Sequence, residues 1–194
     1  MEQISIHHLP DFSELEGFHS GIPEIDRFIV TGLKDCINSH LCIPYGCYDS
    51  NGNIIAFFAL SFDSLDLDSD DKFDLRNGYS FAQIPELPKN YEVFWEKSRY
   101  PALEITYFAV KKNMQRQGIG TSILNAITSM AKQQKVAGCQ FITVNALHLP
   151  TYSAVGFYRS FGFSRYGNIA NIEDIVPMYY TLYHNSKSVT EVFL

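Results

Sequence analysis

The spacing of apolar positions changes several times along the chain, and each change marks an element. Ile25, Phe28, Ile29, Leu33 and Ile37 recur at helical spacing and predict a helix over Pro23–Cys36. Ser20 and Gly21 stand just before it, and Pro23 suits a first helical turn. Ile43–Asp49 and Asn53–Leu60 read as strands around Asp49-Ser50-Asn51-Gly52, a hairpin turn in which Asn-Gly supplies positive φ. Ile4–Leu9 alternates weakly and reads as a first strand. Pro101–Val110 is a central strand, expected to turn Leu103, Ile105, Tyr107 and Ala109 to one face and Glu104, Thr106 and Phe108 to the other. Ile119, Ile123, Leu124, Ile127, Met130 and Ala131 form the apolar stripe of a helix over Ile119–Gln134. Cys139–Ala146 is a compact apolar strand interrupted near its end by Asn145, and Pro150 opens a short helix that carries Tyr158. Val176–Tyr183 and Thr190–Leu194 read as closing strands.

Two stretches depart from this alternation. Asp63–Arg76 carries Asp63, Asp66, Asp68, Asp70, Asp71 and Asp74 against Lys72 and Arg76 and reads as a solvated loop. Its Asp-x-Asp-x-Asp spacing is not a calcium loop: counting from Asp66, the sixth position is Asp71 rather than glycine and the twelfth is Asn77 rather than glutamate. Asn77–Tyr100 holds Pro85, Pro88, Tyr91, Phe94, Trp95 and Tyr100, too aromatic for a free linker. It is expected to pack near the core or over a substrate cleft. No repeat or low-complexity tract interrupts the chain. The pattern is of α/β class, one domain over 1–194 with an acidic and aromatic insertion at about 63–100.

Between the central strand and the Ile119 helix lies Gln115-Arg116-Gln117-Gly118-Ile119-Gly120-Thr121. A glycine-rich turn from a strand into a helix aims backbone N–H groups at one point, where the helix dipole also favours an anion. A dinucleotide fingerprint fails because Ile123 stands at the third glycine position. A P-loop fails because Thr121 and Ser122 follow Gly120 with no lysine.

What remains, Gln115-x-x-Gly118-x-Gly120, resembles the acetyl-coenzyme-A signature Gln/Arg-x-x-Gly-x-Gly/Ala of the GCN5-related N-acetyltransferase (GNAT) superfamily. About forty residues on, the run from Ala154 through Tyr158 to Gly162-Phe163 resembles that family's A-x-x-x-Y-x-x-x-G-F segment. The resemblance spans roughly Ile54–Phe163. It implies a mixed, mostly antiparallel sheet flanked by helices, with two central strands splayed apart. It further implies acetyl-CoA as co-substrate, with no metal, and an amine-bearing acceptor. Main-chain groups at Phe108, Ala109 and Val110 would then meet the pantetheine, and Gln115 to Thr121 would meet the phosphates, with Asn145 at the mouth of the splay. Lys111, Lys112 and Arg116 lie where those phosphates would be near. Thr151 stands where many members carry an asparagine, which removes one coenzyme contact.

The chemistry assigns two roles. A thioester acyl group moves to a neutral amine, so a base must take a proton and the departing thiolate gains from a donor. A phenol of ordinary pKa near 10 stays protonated at neutral pH. By resemblance Tyr158 is that donor, and Glu104, a strand carboxylate, is the candidate base. N–H groups near Ala109 would polarise the thioester carbonyl. Phe18-His19-Ser20-Gly21, Tyr100-Pro101 and Val144-Asn145-Ala146 resemble a toxin-type subgroup that acetylates aminoacyl-tRNA. Alternatives from other classes are a coenzyme-binding module without turnover and a partner-binding domain.

Composition narrows the partners. A net charge of −6 counts against a broad nucleic-acid surface and leaves tRNA as the one nucleic-acid partner considered. No apolar run is long enough to span a membrane, and Met1–Phe12 lacks the pattern of a signal peptide. Cys36, Cys42, Cys47 and Cys139 form no Cys-x-x-Cys pair, so reduced thiols in a cytoplasmic protein are expected, with no metal site. A homodimer is compatible with the sequence.

Overall fold

A computed structural model describes residues 4–9, 12–77, 92–167 and 174–182. The chain begins with β1 (Ser5–His8), a 3-10 turn, α1 (Pro23–Thr31) and α2 (Leu33–Asn38). The hairpin β2 (Ile43–Tyr48) and β3 (Ile54–Asp66) follows, then α3 (Ser69–Asn77) and α4 (Glu92–Glu96). The second half runs β4 (Arg99–Val110), α5 (Ile119–Gln133), β5 (Phe141–Leu149), β6 (Tyr152–Ser153), α6 (Val155–Phe161), β7 (Ser164–Arg165) and β8 (Ile175–Thr181). Seven strands lie in the order β1-β2-β3-β4-β5-β8-β7, and β6 pairs off the path with β5. Every pairing is antiparallel except β4–β5, which is parallel and bridged by α5. Among the described residues no helix is long and apolar enough to cross a membrane.

The expected helix over Pro23–Cys36 is two helices. They meet at Gly32, whose φ of −125° departs from helical values, and a Cβ there would sit 2.6 Å from the Phe28 ring. Phe28 uses that space to stack on Tyr107, centroids 3.9 Å apart. The hairpin forms at its predicted place, with the Asp49 carboxylate accepting the N–H groups of Asn51 and Asn53 at 2.9 and 2.8 Å.

The acidic stretch differs from the expected solvated loop. β3 continues to Asp66, and α3 begins at Ser69. The acids are used: Asp68 accepts the N–H groups of Asp70 and Asp71, closing the start of α3. Asp66 pairs with Arg99 at 3.0 Å. Asp71, its carboxyl raised chiefly by burial, accepts the Gly167 N–H. The aromatic stretch packs into the protein as expected where it is described. Phe94 and Tyr100 join Leu65, Leu67, Leu75, Phe141 and Tyr179 in a second core on one sheet face. Residues 78–91, Tyr183 and the expected strand at 190–194 lie outside the described residues.

The face assignment of β4 also needs correction. Ala59 pairs with Tyr107 but Leu60 with Ile105, leaving Thr106 as an extra residue on β4. A bulge of this kind shifts the alternation by one. Leu103 and Ile105 therefore pack with the α5 side of the core, as do Phe108 and Val110. Tyr107 and Ala109 pack on the opposite side, with Leu33 and Phe57. Strict alternation would have placed Tyr107 and Ala109 with Leu103 and Ile105. The apolar stripe of α5 is buried as predicted at Ile119, Ile123, Leu124, Ile127 and Ala131.

Candidate active site

The bulge and the splay coincide. β4 and β5 pair only from Ala102 to Ile105 against Phe141 to Val144. Beyond that point β4 remains paired with β3 as far as Val110, and β5 with β8 as far as Leu147. The two central strands thus diverge into a notch, with the β5-facing edge of Phe108, Ala109 and Val110 free of a strand partner. Phe108 and Val110 are half-buried on the α5 side, and Ala109 is buried on the other.

The glycine turn closes one end of the notch. Gly118 is the N-cap of α5 at φ +82°, the left-handed region where a side chain is strained. The first intrahelical bond there runs from the Ser122 N–H to the Gly118 carbonyl at 3.0 Å. The N–H groups of Gly118, Ile119, Gly120 and Thr121 therefore precede the helical ladder and no side chain caps them, an arrangement suited to an anion. Gly120 matters through close approach: a Cβ there would lie 3.1 Å from the Phe157 ring. Gln115 holds the turn in place, its amide donating to the carbonyls of Ser20 at 2.7 Å and Val110 at 2.9 Å. The Gln117 amide donates to the Asn113 carbonyl. The Lys112 N–H donates to the His19 carbonyl, so the Phe18–Gly21 segment is laced to the turn. Arg116, at φ +62°, and Lys112 are exposed beside it.

Tyr158 stands on α6 within the α5-side core. Its ring packs between Phe157 and Phe163, each 5.2 Å away by centroids. Its hydroxyl makes no hydrogen bond to any described residue. Buried tyrosine hydroxyls ordinarily find a partner. Burial, and then the neighbouring Tyr152 charge, raise the Tyr158 phenol above its ordinary value. It stays protonated through the physiological range and is fit to donate. Gly162 closes α6 at φ +112°, the left-handed C-cap expected of the glycine before Phe163.

Glu104 lies on the opposite sheet face, opposite Ser61 on β3 and Thr143 on β5. Ser61 Oγ donates to Glu104 Oε2 at 3.0 Å and also meets Thr106 Oγ1 at 3.0 Å. Asn145 Nδ2 donates to Glu104 Oε1 at 3.2 Å. Thr143 donates to Asp63, and Thr143 is itself buried. Tyr166 borders this patch; burial, then the charges of Asp63, Glu104, Asp66 and Asp71, push its phenol up to about 12. The polar patch lies between the core under α1 and α2 and the core under α3 and α4. Acid and base candidates therefore reach the notch from two sides of the sheet. Sequence reasoning missed Ser61, Asp63, Thr106, Thr143 and Tyr166 as neighbours of Glu104. Only the strand register brings them together, although polar residues spaced by two in Ser61-x-Asp63 and Thr143-x-Asn145 were a readable signal.

Residues 88–165 match the acetyltransferase (GNAT) domain family. No curated protein sequence matches at a significant level. Solved structures share the fold at low identity. One described as a bacterial toxin is 17% identical, with 94% of this chain and 92% of that chain covered and a TM-score of 0.66. AtaTR bound with acetyl-CoA is 16% identical, with 94% and 95% covered and a TM-score of 0.65. AtaT complexed with acetyl-methionyl-tRNAfMet is 18% identical, with 90% and 94% covered and a TM-score of 0.59.

Proposed function

We propose that this chain, which belongs to the GNAT superfamily of acetyl-CoA-dependent N-acetyltransferases, acetylates a primary amine by direct attack in a ternary complex. The observation that carries this reading is the notch between β4 and β5, flanked by an unpartnered Tyr158 hydroxyl on one face and a hydrogen-bonded Glu104 on the other. Main-chain groups of Phe108, Ala109 and Val110 pair with the pantetheine, and the N–H groups from Gly118 to Thr121 meet the pyrophosphate. Gln115 and Gln117 act by shaping that turn, and Arg116 adds charge beside it.

Glu104 takes a proton from the incoming ammonium, directly or through water, so that neutral amine attacks the thioester carbonyl. An N–H near Ala109 stabilises the oxyanion that forms. As the carbon–sulfur bond breaks, Tyr158 gives its proton to the departing thiolate, and solvent restores it. The ammonium nitrogen gives up two protons, one through Glu104 before attack and a second to solvent as the tetrahedral intermediate collapses. The second offsets the proton that solvent returns to Tyr158, so one proton is released per turnover.

The acceptor is a small-molecule or protein amine that meets the patch of Ser61, Asp63, Glu104 and Asn145. One observation favours a second acceptor. Fold neighbours include a protein solved with an acetylated methionyl-tRNA, which makes aminoacyl-tRNA the alternative. Release of the coenzyme thiol from acetyl-CoA, followed with spermidine, a lysine-containing peptide and methionyl-tRNA in parallel, tests both. Turnover confined to methionyl-tRNA selects the alternative. Tight acetyl-CoA binding with no turnover on any acceptor overturns the enzymatic mechanism in favour of a coenzyme-binding module.

A further inference from the structure

The Glu104 carboxylate is gripped from both neighbouring strands. Ser61 Oγ reaches Oε2 from β3 at 3.0 Å, and Asn145 Nδ2 reaches Oε1 from β5 at 3.2 Å. A carboxylate only accepts, so the Asn145 amide must present its NH2 group here. The position of Asn145 is unusual. It is the first β5 residue after the last β4–β5 rung, Ile105 to Val144. Its main chain belongs to the ladder with β8, opposite Pro177, while its side chain reaches back to β4. The Asn145–Glu104 bond therefore crosses the splay at its vertex. A polar tie at that point, exposed on its Asn145 side, contributes little to the core. Its evident effect is on the direction in which Glu104 points.

We infer that Asn145 is a positioning residue for the reaction, holding Glu104 by its Oε1 atom so that the carboxylate faces the amine at the mouth of the notch. The inference rests on Glu104 being the base. It differs from a coenzyme contact at Asn145, because the side chain addresses the carboxylate on the face opposite Tyr158. Ser61 shares the task from the other side, and its second contact, with Thr106 Oγ1, links the grip to the bulge.

The test is a cycle of Asn145→Ala, Asn145→Asp, Glu104→Gln and the double variant Asn145→Ala with Glu104→Gln. Each is assayed by thiol release from acetyl-CoA with spermidine and with methionyl-tRNA, after a thermal melt shows that it folds. Asn145→Asp keeps the shape but replaces the donor with a second carboxylate against Glu104, so it removes the hydrogen bond and adds like-charge repulsion, whereas Asn145→Ala removes the bond without adding charge. A charge-assisted hydrogen bond that fixes a base is expected to contribute about ten-fold in kcat. Both Asn145 variants should lose about that much, with KM for acetyl-CoA within about two-fold of the parent. In the Glu104→Gln background the Asn145 substitution should cost less than about two-fold, because residues acting as a unit are not additive. Three results overturn the inference: kcat unchanged in Asn145→Asp, a rise in KM for acetyl-CoA in place of the kcat loss, or the same ten-fold loss in the Glu104→Gln background. If Glu104→Gln alone leaves turnover intact, the base assignment fails first and the positioning role falls with it.

Discussion

Two buried tyrosines make opposite predictions on losing their hydroxyl. Tyr158 is 5% exposed and Tyr100 is 1% exposed. The Tyr100 hydroxyl donates within reach of two carbonyls, Phe94 at 2.6 Å and Lys97 at 2.9 Å. The Tyr158 hydroxyl has no partner among the described residues. Tyr100→Phe removes a donor from a buried carbonyl and should cost about 1–2 kcal/mol. For a chain of this size that lowers Tm by about 2–8 °C. Tyr158→Phe removes an oxygen that bonds no described residue, so stability should stay within about 1 kcal/mol of the parent. Turnover should change instead, falling about 10²-fold in Tyr158→Phe through loss of the acid while acetyl-CoA affinity is kept. Tyr100→Phe should leave turnover of the folded enzyme near the parent value. Thermal melts, calorimetric titration with acetyl-CoA and thiol-release kinetics on the two variants and the parent measure all three quantities. If Tyr158→Phe loses stability and keeps its rate, the phenol is a packing group and the catalytic assignment is wrong.

Other expectations follow from the same geometry. Gly120→Leu should weaken acetyl-CoA binding by at least about ten-fold, since its side chain meets Phe157 and crowds the donors of the turn; unchanged affinity in calorimetry would remove the turn from the coenzyme site. Gly118→Ala has open space but a left-handed backbone, so it should cost about 1–2 kcal/mol in a denaturant melt, and no loss would mean the turn relaxes. Glu104→Gln should lower kcat about 10²-fold while the protein melts near the parent temperature, and an equal rate would move the base elsewhere. Burial raises the Cys47 thiol to about 12 and, with nearby carboxylates, the Tyr166 phenol to about 12. In the folded chain both groups keep protons that the unfolded chain releases from about pH 8.5 and 10. Their contribution to stability is therefore fully present below about pH 8.5 and declines as pH rises toward 12, so Tm should fall across that window. A Tm flat to pH 11 would contradict the burial of both groups.

The parts of the fold visible in the sequence are those in which one residue type serves one local need. Gly118 and Gly162 take left-handed positions that other residues resist, and both fall where the motifs place them. The α5 stripe is periodic because one face is core, and it is buried as read. The face of β4 beyond Ile105 was not legible, because a bulge depends on the count of residues in the partner strand. Nothing in Thr106 itself announces that Leu60 will pair with Ile105 rather than Thr106. The same difficulty hid the surroundings of Glu104. Ser61, Thr143 and Asn145 are ordinary polar residues in apolar strands until the register sets them against one carboxylate. The break at Gly32 was misread for a related reason: helical spacing continues through it, and the close approach of the Phe28 ring to the glycine is visible only in the folded chain.

The acidic stretch changes how net charge bears on the acceptor. Read as a solvated loop, Asp63–Arg76 would repel a polyanion from wherever it wandered. In the structure its carboxylates keep their charge but several are fixed in place. Asp66 is paired with Arg99, Asp68 holds the start of α3, and Asp71 holds Gly167. Asp63 is the member of the group that turns to the patch beside Glu104, through Thr143. A net charge of −6 is thus a poor guide to the field an acceptor meets at the notch, where Arg116 and Lys112 stand at one end and two carboxylates at the other. Screening reduces interactions between exposed charges beyond about 10 Å at moderate salt, so the local arrangement outweighs the total. A cationic amine carried on a small molecule would be drawn to the carboxylate end and should turn over faster at low salt. An amine carried on tRNA would need the phosphates to engage the basic end, and its KM should rise much more steeply with salt. The salt dependence of KM for spermidine against methionyl-tRNA therefore separates the two acceptor classes even if both are turned over.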